Sequence, residues 1–114
     1  MWEKDLYEIY NINPEHISAY SLTVEKGTEL FKLVKNNTVV MPNDHISAKW
    51  FKETHNKMNL NGYEPYEISN FSKPKYQCKH NIHYWRIDPY LAFGPSANGF
   101  DLQYRWNNIR NLDS

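Results

Sequence analysis

The stretch from Tyr66 to Phe100 constrains this chain most. It carries three of the six prolines, two of the four glycines, two of the five histidines and the only cysteine. It therefore reads as short pieces. Ser72 to Lys75 is a surface loop, and Tyr76 to Trp85 is extended or irregular. Asp88-Pro89 is a turn, and Tyr90 to Phe93 is a short apolar strand. Gly94 to Gly99 is a small-residue loop where a ligand or a backbone can approach closely. At its centre, His80-Asn81-Ile82-His83-Tyr84-Trp85 interleaves groups that bind metals or protons with large flat side chains. That mixture suits a flat, partly apolar ligand.

The rest of the chain reads as support. At 114 residues it is one domain or a piece of one. Thirteen basic residues balance thirteen acidic ones, with no basic stripe, which argues against nucleic acid as a partner. No apolar run reaches the roughly 18 residues of a membrane span, and no signal peptide is visible. A single cysteine allows no internal disulfide and fits the reducing cytoplasm. Met1-Trp2-Glu3 opens directly into a helical pattern, and Leu112-Asp113-Ser114 carries no stop signal. A segment of a longer protein is therefore expected.

Residues 2 to 11 place Trp2, Leu6, Ile9 and Tyr10 on one helical face, and Asn13-Pro14 ends that helix. Residues 16 to 24 alternate as a strand apolar on both faces, as in a sheet covered by helices. Thr28 caps a short helix bearing Leu30, Phe31, Leu33 and Val34. A longer helix starts at Asn43 or Asp44 and runs to about Asn61. Its buried stripe is Ile46, Trp50, Phe51, Thr54 and Met58. Gly62 suits the left-handed position after it. His45 and His55 read as surface or boundary histidines. Residues 63 to 71 return as a strand. This order of helix, strand, helices and strand favours an α/β arrangement with a parallel strand pair and a crossover. Residues 104 to 108 read as the partner strand of a hairpin.

Several residues have more than one reading. Cys78, His80 and His83 have the spacing of three metal ligands, but structural zinc takes four and no fourth lies nearby. His80 suits an axial ligand for a porphyrin iron, with Tyr84, Trp85, Tyr76 or Phe93 stacking on the macrocycle. Composition alone favours the other reading, a hydrogen bond from His80 to a backbone carbonyl in a packed corner. Glu67 either orients a ligand or a buried hydroxyl, or pairs with Arg86 or Arg105.

Four blocks resemble a known family: HISAYSLTVEKGT from His16, GYEPYEISNF from Gly62, HNIHYW from His80 and YLAFGPSA from Tyr90. Together they resemble the HemN/HemW family of radical S-adenosylmethionine proteins, which includes oxygen-independent coproporphyrinogen III oxidases. HNIHYW and YEISNF point to the HemW branch. The resemblance implies late strand–helix units of a partial (β/α) barrel over 1–71, and a small β region with the HNxxYW motif over 72–114. As an isolated fragment this would be α+β. It implies haem at His80, Tyr84 and Trp85, with His80 as iron ligand, and a S-adenosylmethionine pocket edged by Leu22 and Thr23. It also implies a parent protein that carries a [4Fe–4S] cluster and either oxidises a porphyrin precursor in haem biosynthesis or chaperones haem. The family pattern has a histidine where this chain has Asn98. The family's cluster motif, CxxxCxxC, is not in this chain, so the segment is expected to be inactive as an oxidase by itself. Its partners are expected to be a porphyrin or haem, the missing half of the barrel, and a second copy at an open sheet edge.

Overall fold

Asparagine and proline end the first helix where the sequence predicts. The structure, a computed structural model, describes residues 2–111. The chain ends, read above as those of a longer protein's segment, lie outside that range. Helix α1 spans Trp2–Ile12. Asn13 then takes a positive φ of 55° and donates its N–H to Ile9 O at 2.9 Å. Helix α2 (Glu29–Lys35) starts on Thr28, whose Oγ1 accepts from Phe31 N–H at 3.2 Å. Helix α3 (Asp44–Leu60) starts on Asn43, whose Oδ1 accepts from Ile46 N–H at 2.9 Å. Gly62 follows it at φ 81°, the left-handed position that a residue without Cβ adopts freely.

The first sheet has strands β1 (His16–Ser18), β2 (Glu64–Pro65) and β3 (Asn70–Ser72) in the order β1-β3-β2. The expected parallel pair is not formed, because both pairings are antiparallel. The cause lies in 63 to 71, which is two strands. Bends at residues 66–69 reverse the chain after Pro65, and Tyr66 N–H reaches Asn70 O at 3.2 Å. β1 and β2 therefore run the same way but sit at opposite edges, with β3 antiparallel between them. The strand expected over 16 to 24 is shorter for a related reason. Ser18 pairs with Asn70, where β3 begins, and the pairing closes one residue later with Ala19 N–H bonded to Ser69 O at 2.8 Å, as the bends at 66–69 carry the other chain away. Tyr20 and Leu22 are consequently exposed.

β3 is the central strand, and all three of its residues are buried. Phe71 joins Leu6, Ile17, Met58 and Tyr63 in the core, with Trp2, Ile9, Tyr10 and Ala19 packed against it. Each fully buried side chain of this size stabilises by about 1.5–3 kcal/mol. Burial favours paired polar groups, and several here are paired, although among the described residues the buried Trp2 Nε1 and Tyr10 OH have no partner. Ser18 Oγ donates to Asn70 Oδ1 at 2.5 Å, Asn70 Nδ2 donates to Tyr20 OH at 3.2 Å, and Tyr63 OH donates to Pro14 O at 2.8 Å. The predicted stripe of α3 is only half buried. Thr54 and Met58 are inside, whereas Ile46, Trp50 and Phe51 are 37%, 45% and 46% exposed.

The chain forms two compact units, Met1–Gln77 and Cys78–Ser114. The second holds helix α4 (Lys79–Trp85) and the antiparallel hairpin of β4 (Asn98–Phe100) with β5 (Arg105–Asn107). The hairpin partner expected at 104 to 108 is thus present. Tyr90 adds a single bridge to Phe100, and Tyr90 to Phe93 otherwise forms no strand. The molecule is α+β, with small antiparallel sheets. Among the described residues no helix is long and apolar enough to cross a membrane.

The hairpin turn makes a pH prediction. Asp101 Oδ1 accepts from Tyr104 N–H at 2.7 Å and from Gln103 N–H at 2.9 Å. Those bonds, Tyr104's first, hold its carboxyl below the ordinary value of 3.8. A depressed folded value means the stabilisation is full above the unfolded value and is lost as pH falls through the folded one. The Tyr104 amide resonance, followed by NMR, should therefore titrate below pH 3.8. A midpoint at or above that value would contradict the turn.

Candidate functional site

Helix α4 replaces the extended segment expected over 76 to 85. Its seven residues contain no proline or glycine to break it. Its end is closed by two backbone bonds, Ile87 N–H to Tyr84 O at 3.1 Å and Asp88 N–H to His83 O at 3.0 Å. This pairing puts Ile87 at φ 60°, a position where glycine is usual and a β-branched residue is strained.

The helix decides how the HNIHYW side chains meet. His80 and Tyr84 are four apart and share a face. Their rings pack edge to face at 5.0 Å and 89°. Tyr84 then meets Tyr90 at 4.8 Å and 72°. Trp85 is 57% exposed and falls about 140° round the helix from His80, on another side. The structure thus brings together His80 and Tyr84 and leaves Trp85 apart. His83 Nδ1–H donates to Asp88 Oδ2 at 2.6 Å. His80 is exposed, and among the described residues neither of its ring nitrogens has a hydrogen-bond partner. The packed corner with a carbonyl partner is therefore not its environment. Among the described residues no group of three His, Cys, Asp or Glu is placed to hold a metal ion.

Beside Tyr84 is a pocket of about 370 Å³ lined by Tyr84, Tyr90, Asn98, Gly99 and Arg105. The hairpin register builds it. Phe100 pairs with Arg105 and Asn98 with Asn107. The Tyr90 and Phe100 backbones exchange bonds of 2.8 and 2.9 Å. Asn98 Oδ1 accepts from Asn107 Nδ2 at 3.2 Å, which leaves the Asn98 amide NH₂ as a donor.

In the unit Met1–Gln77 the open half of the α3 stripe lines a second, mostly apolar cleft of about 520 Å³. Trp2, Tyr20, Leu22, Met41, Trp50 and Phe51 form much of its wall. Trp2 Nε1–H is buried and has no acceptor among the described residues. Of the two residues expected at a S-adenosylmethionine pocket, Leu22 lines this cleft and Thr23 does not. Glu67 is half-buried, and its Oε1 accepts from the nearby Ser69 N–H at 2.9 Å. The arginine pairing expected for it is not among its contacts in the described residues.

The sequence makes His55 a surface or boundary histidine and Arg105 a pairing option for Glu67. His55 lines the apolar cleft, its ring between Phe51 at 4.3 Å and Phe71 at 4.7 Å. The i, i+4 spacing from Phe51 is the signal that finds it. Arg105 lies with its guanidinium over the Phe100 ring at 5.3 Å. Only the strand register reveals that contact.

No family model matches the chain. No solved structure matches it either. Curated proteins do. The chain is 38% identical over 98 residues to the radical S-adenosyl methionine domain-containing protein 1, mitochondrial, of Danio rerio, covering 86% of this chain and 22% of that protein. It is 38% identical over 95 residues to the heme chaperone HemW of Escherichia coli K12, covering 83% of this chain and 24% of that one. It is 35% identical over 108 residues to the heme chaperone HemW of Buchnera aphidicola, covering 95% and 28%. The chain thus spans about a quarter of the length of the curated relatives it matches.

Proposed function

The chain belongs to the HemN/HemW family of radical S-adenosylmethionine proteins, and from that premise we propose that it is a haem-holding segment of a HemW-type haem chaperone. One observation carries the reading. His80 is exposed, both its ring nitrogens lack partners among the described residues, and Tyr84 is packed against its ring. A free imidazole is an iron ligand, and a neighbouring aromatic ring offers a surface to a flat macrocycle. Tyr84 orients the His80 ring through its edge contact. Trp85, on another side of α4, is an outer contact in this reading.

A [4Fe–4S] cluster does not fit this chain, because a single cysteine cannot supply the three that the family's motif requires. Oxidation of coproporphyrinogen III by a whole parent protein is the second reading. It is favoured only by Leu22, whose place in the apolar cleft supports an edge of a S-adenosylmethionine pocket. The names of the bacterial relatives favour the chaperone.

Haemin titrated into the purified chain, with the Soret band followed, tests the proposal. Substituting His80→Ala should weaken binding by about tenfold or more, the scale on which even outer-shell changes weaken metal sites. Equal binding by both proteins would remove His80 from the site.

A further inference from the structure

Arg105 is a cation held in place by an aromatic ring. Among the described residues it pairs with no carboxylate, and its guanidinium is laid over Phe100 by the cross-strand register. It lines the pocket beside Tyr84 together with the Tyr90 ring and Asn98. Guanidinium forks match carboxylates in a bidentate way, and one already fixed by an aromatic face loses less freedom on binding. The pocket is too small and too polar to take a macrocycle, but it suits the acidic edge of one. The ring series His80, Tyr84, Tyr90 runs from the free imidazole to this pocket through contacts of 5.0 and 4.8 Å.

We infer that Arg105 receives a carboxylate of the porphyrin whose iron His80 holds, so that the ligand is gripped at its centre and at its acidic edge. The inference rests on the haem reading above. It gives Asn98 a place as well, as a neutral donor beside the guanidinium.

The test compares haemin with its dimethyl ester, which keeps the iron and the ring and lacks free carboxylates. Both are titrated into the wild-type chain, Arg105→Gln and Arg105→Lys. Arg105→Gln should weaken haemin by about tenfold, the scale of a lost charged hydrogen bond, and leave the ester unchanged. Arg105→Lys should recover part of the loss, since it keeps the charge without the fork. The Soret maximum should stay where His80 sets it in all three. Equal haemin affinity in wild type and Arg105→Gln overturns the inference and leaves the haem reading standing. Equal loss of haemin and ester makes Arg105 a structural residue and also overturns it. A wild-type chain that binds neither ligand overturns the haem reading and the inference together.

Discussion

Phe71→Ala is expected to cost about 3–5 kcal/mol and to unfold residues 2–77. Phe71 is the middle residue of the central strand and is 1% exposed. Ile17 on β1 pairs with it on one side and Pro65 on β2 on the other. The His55 ring packs on it at 4.7 Å. Removing the ring thus opens a cavity where both strand pairs and α3 converge, with few neighbours able to fill it. Small domains hold only about 5–15 kcal/mol in total, and those of this size sit near the lower end. The loss is therefore most of what this unit has. Urea unfolding followed by far-UV circular dichroism measures it. Phe93→Ala is the control, because Phe93 is 82% exposed and its removal should change stability by less than about 0.5 kcal/mol. Similar unfolding midpoints for the two variants would show that Phe71 is not the centre of this core.

The same contrast explains what was legible in the sequence. Local rules were met wherever a local rule decides the outcome. Asn13 ends α1, Thr28 and Asn43 cap α2 and α3, and Gly62 takes the left-handed position. The face of α1 was legible because its four apolar residues all meet one core. Pairing was not legible, since alternation says which residues point inwards but not which strand lies alongside. The bends at 66–69 reverse the chain and turn an expected parallel neighbour into an antiparallel one. α3 shows the same limit. Its periodic stripe predicts burial for Trp50 and Phe51, but the core ends at Thr54 and leaves both lining a cleft. Periodicity fixes a helix face, and only the neighbours decide how much of it is covered.

HNIHYW was legible as a motif and illegible as a shape. An extended segment would set His80 and His83 on opposite sides and leave Tyr84 out of reach of His80. The helix instead puts Tyr84 one turn from His80 and carries Trp85 away. The Arg105 pocket depends on a hairpin register that no residue in 78–92 announces.

Gly99→Ala should disrupt that hairpin, and with it the pocket beside Tyr84. Gly99 is buried in β4 opposite Trp106, and a Cβ built on it would fall inside the Trp106 indole. The substitution itself is small, but the obstacle is a rigid ring on the paired strand. Either the indole leaves its place or the strands separate. Overpacking of this kind costs about 1–3 kcal/mol and occasionally more. A hairpin of three residues on each side has little stability to lose. The readout is protection of the β4 and β5 amides from hydrogen exchange. Phe100 N–H, bonded to Tyr90 O at 2.9 Å, and Asn108 N–H, bonded to Ala97 O at 2.8 Å, should lose most of theirs. The double variant Gly99→Ala with Trp106→Ala should regain part of that protection, because it removes the ring that the new methyl meets. Full protection in Gly99→Ala alone would show that the Trp106 ring does not cover Gly99.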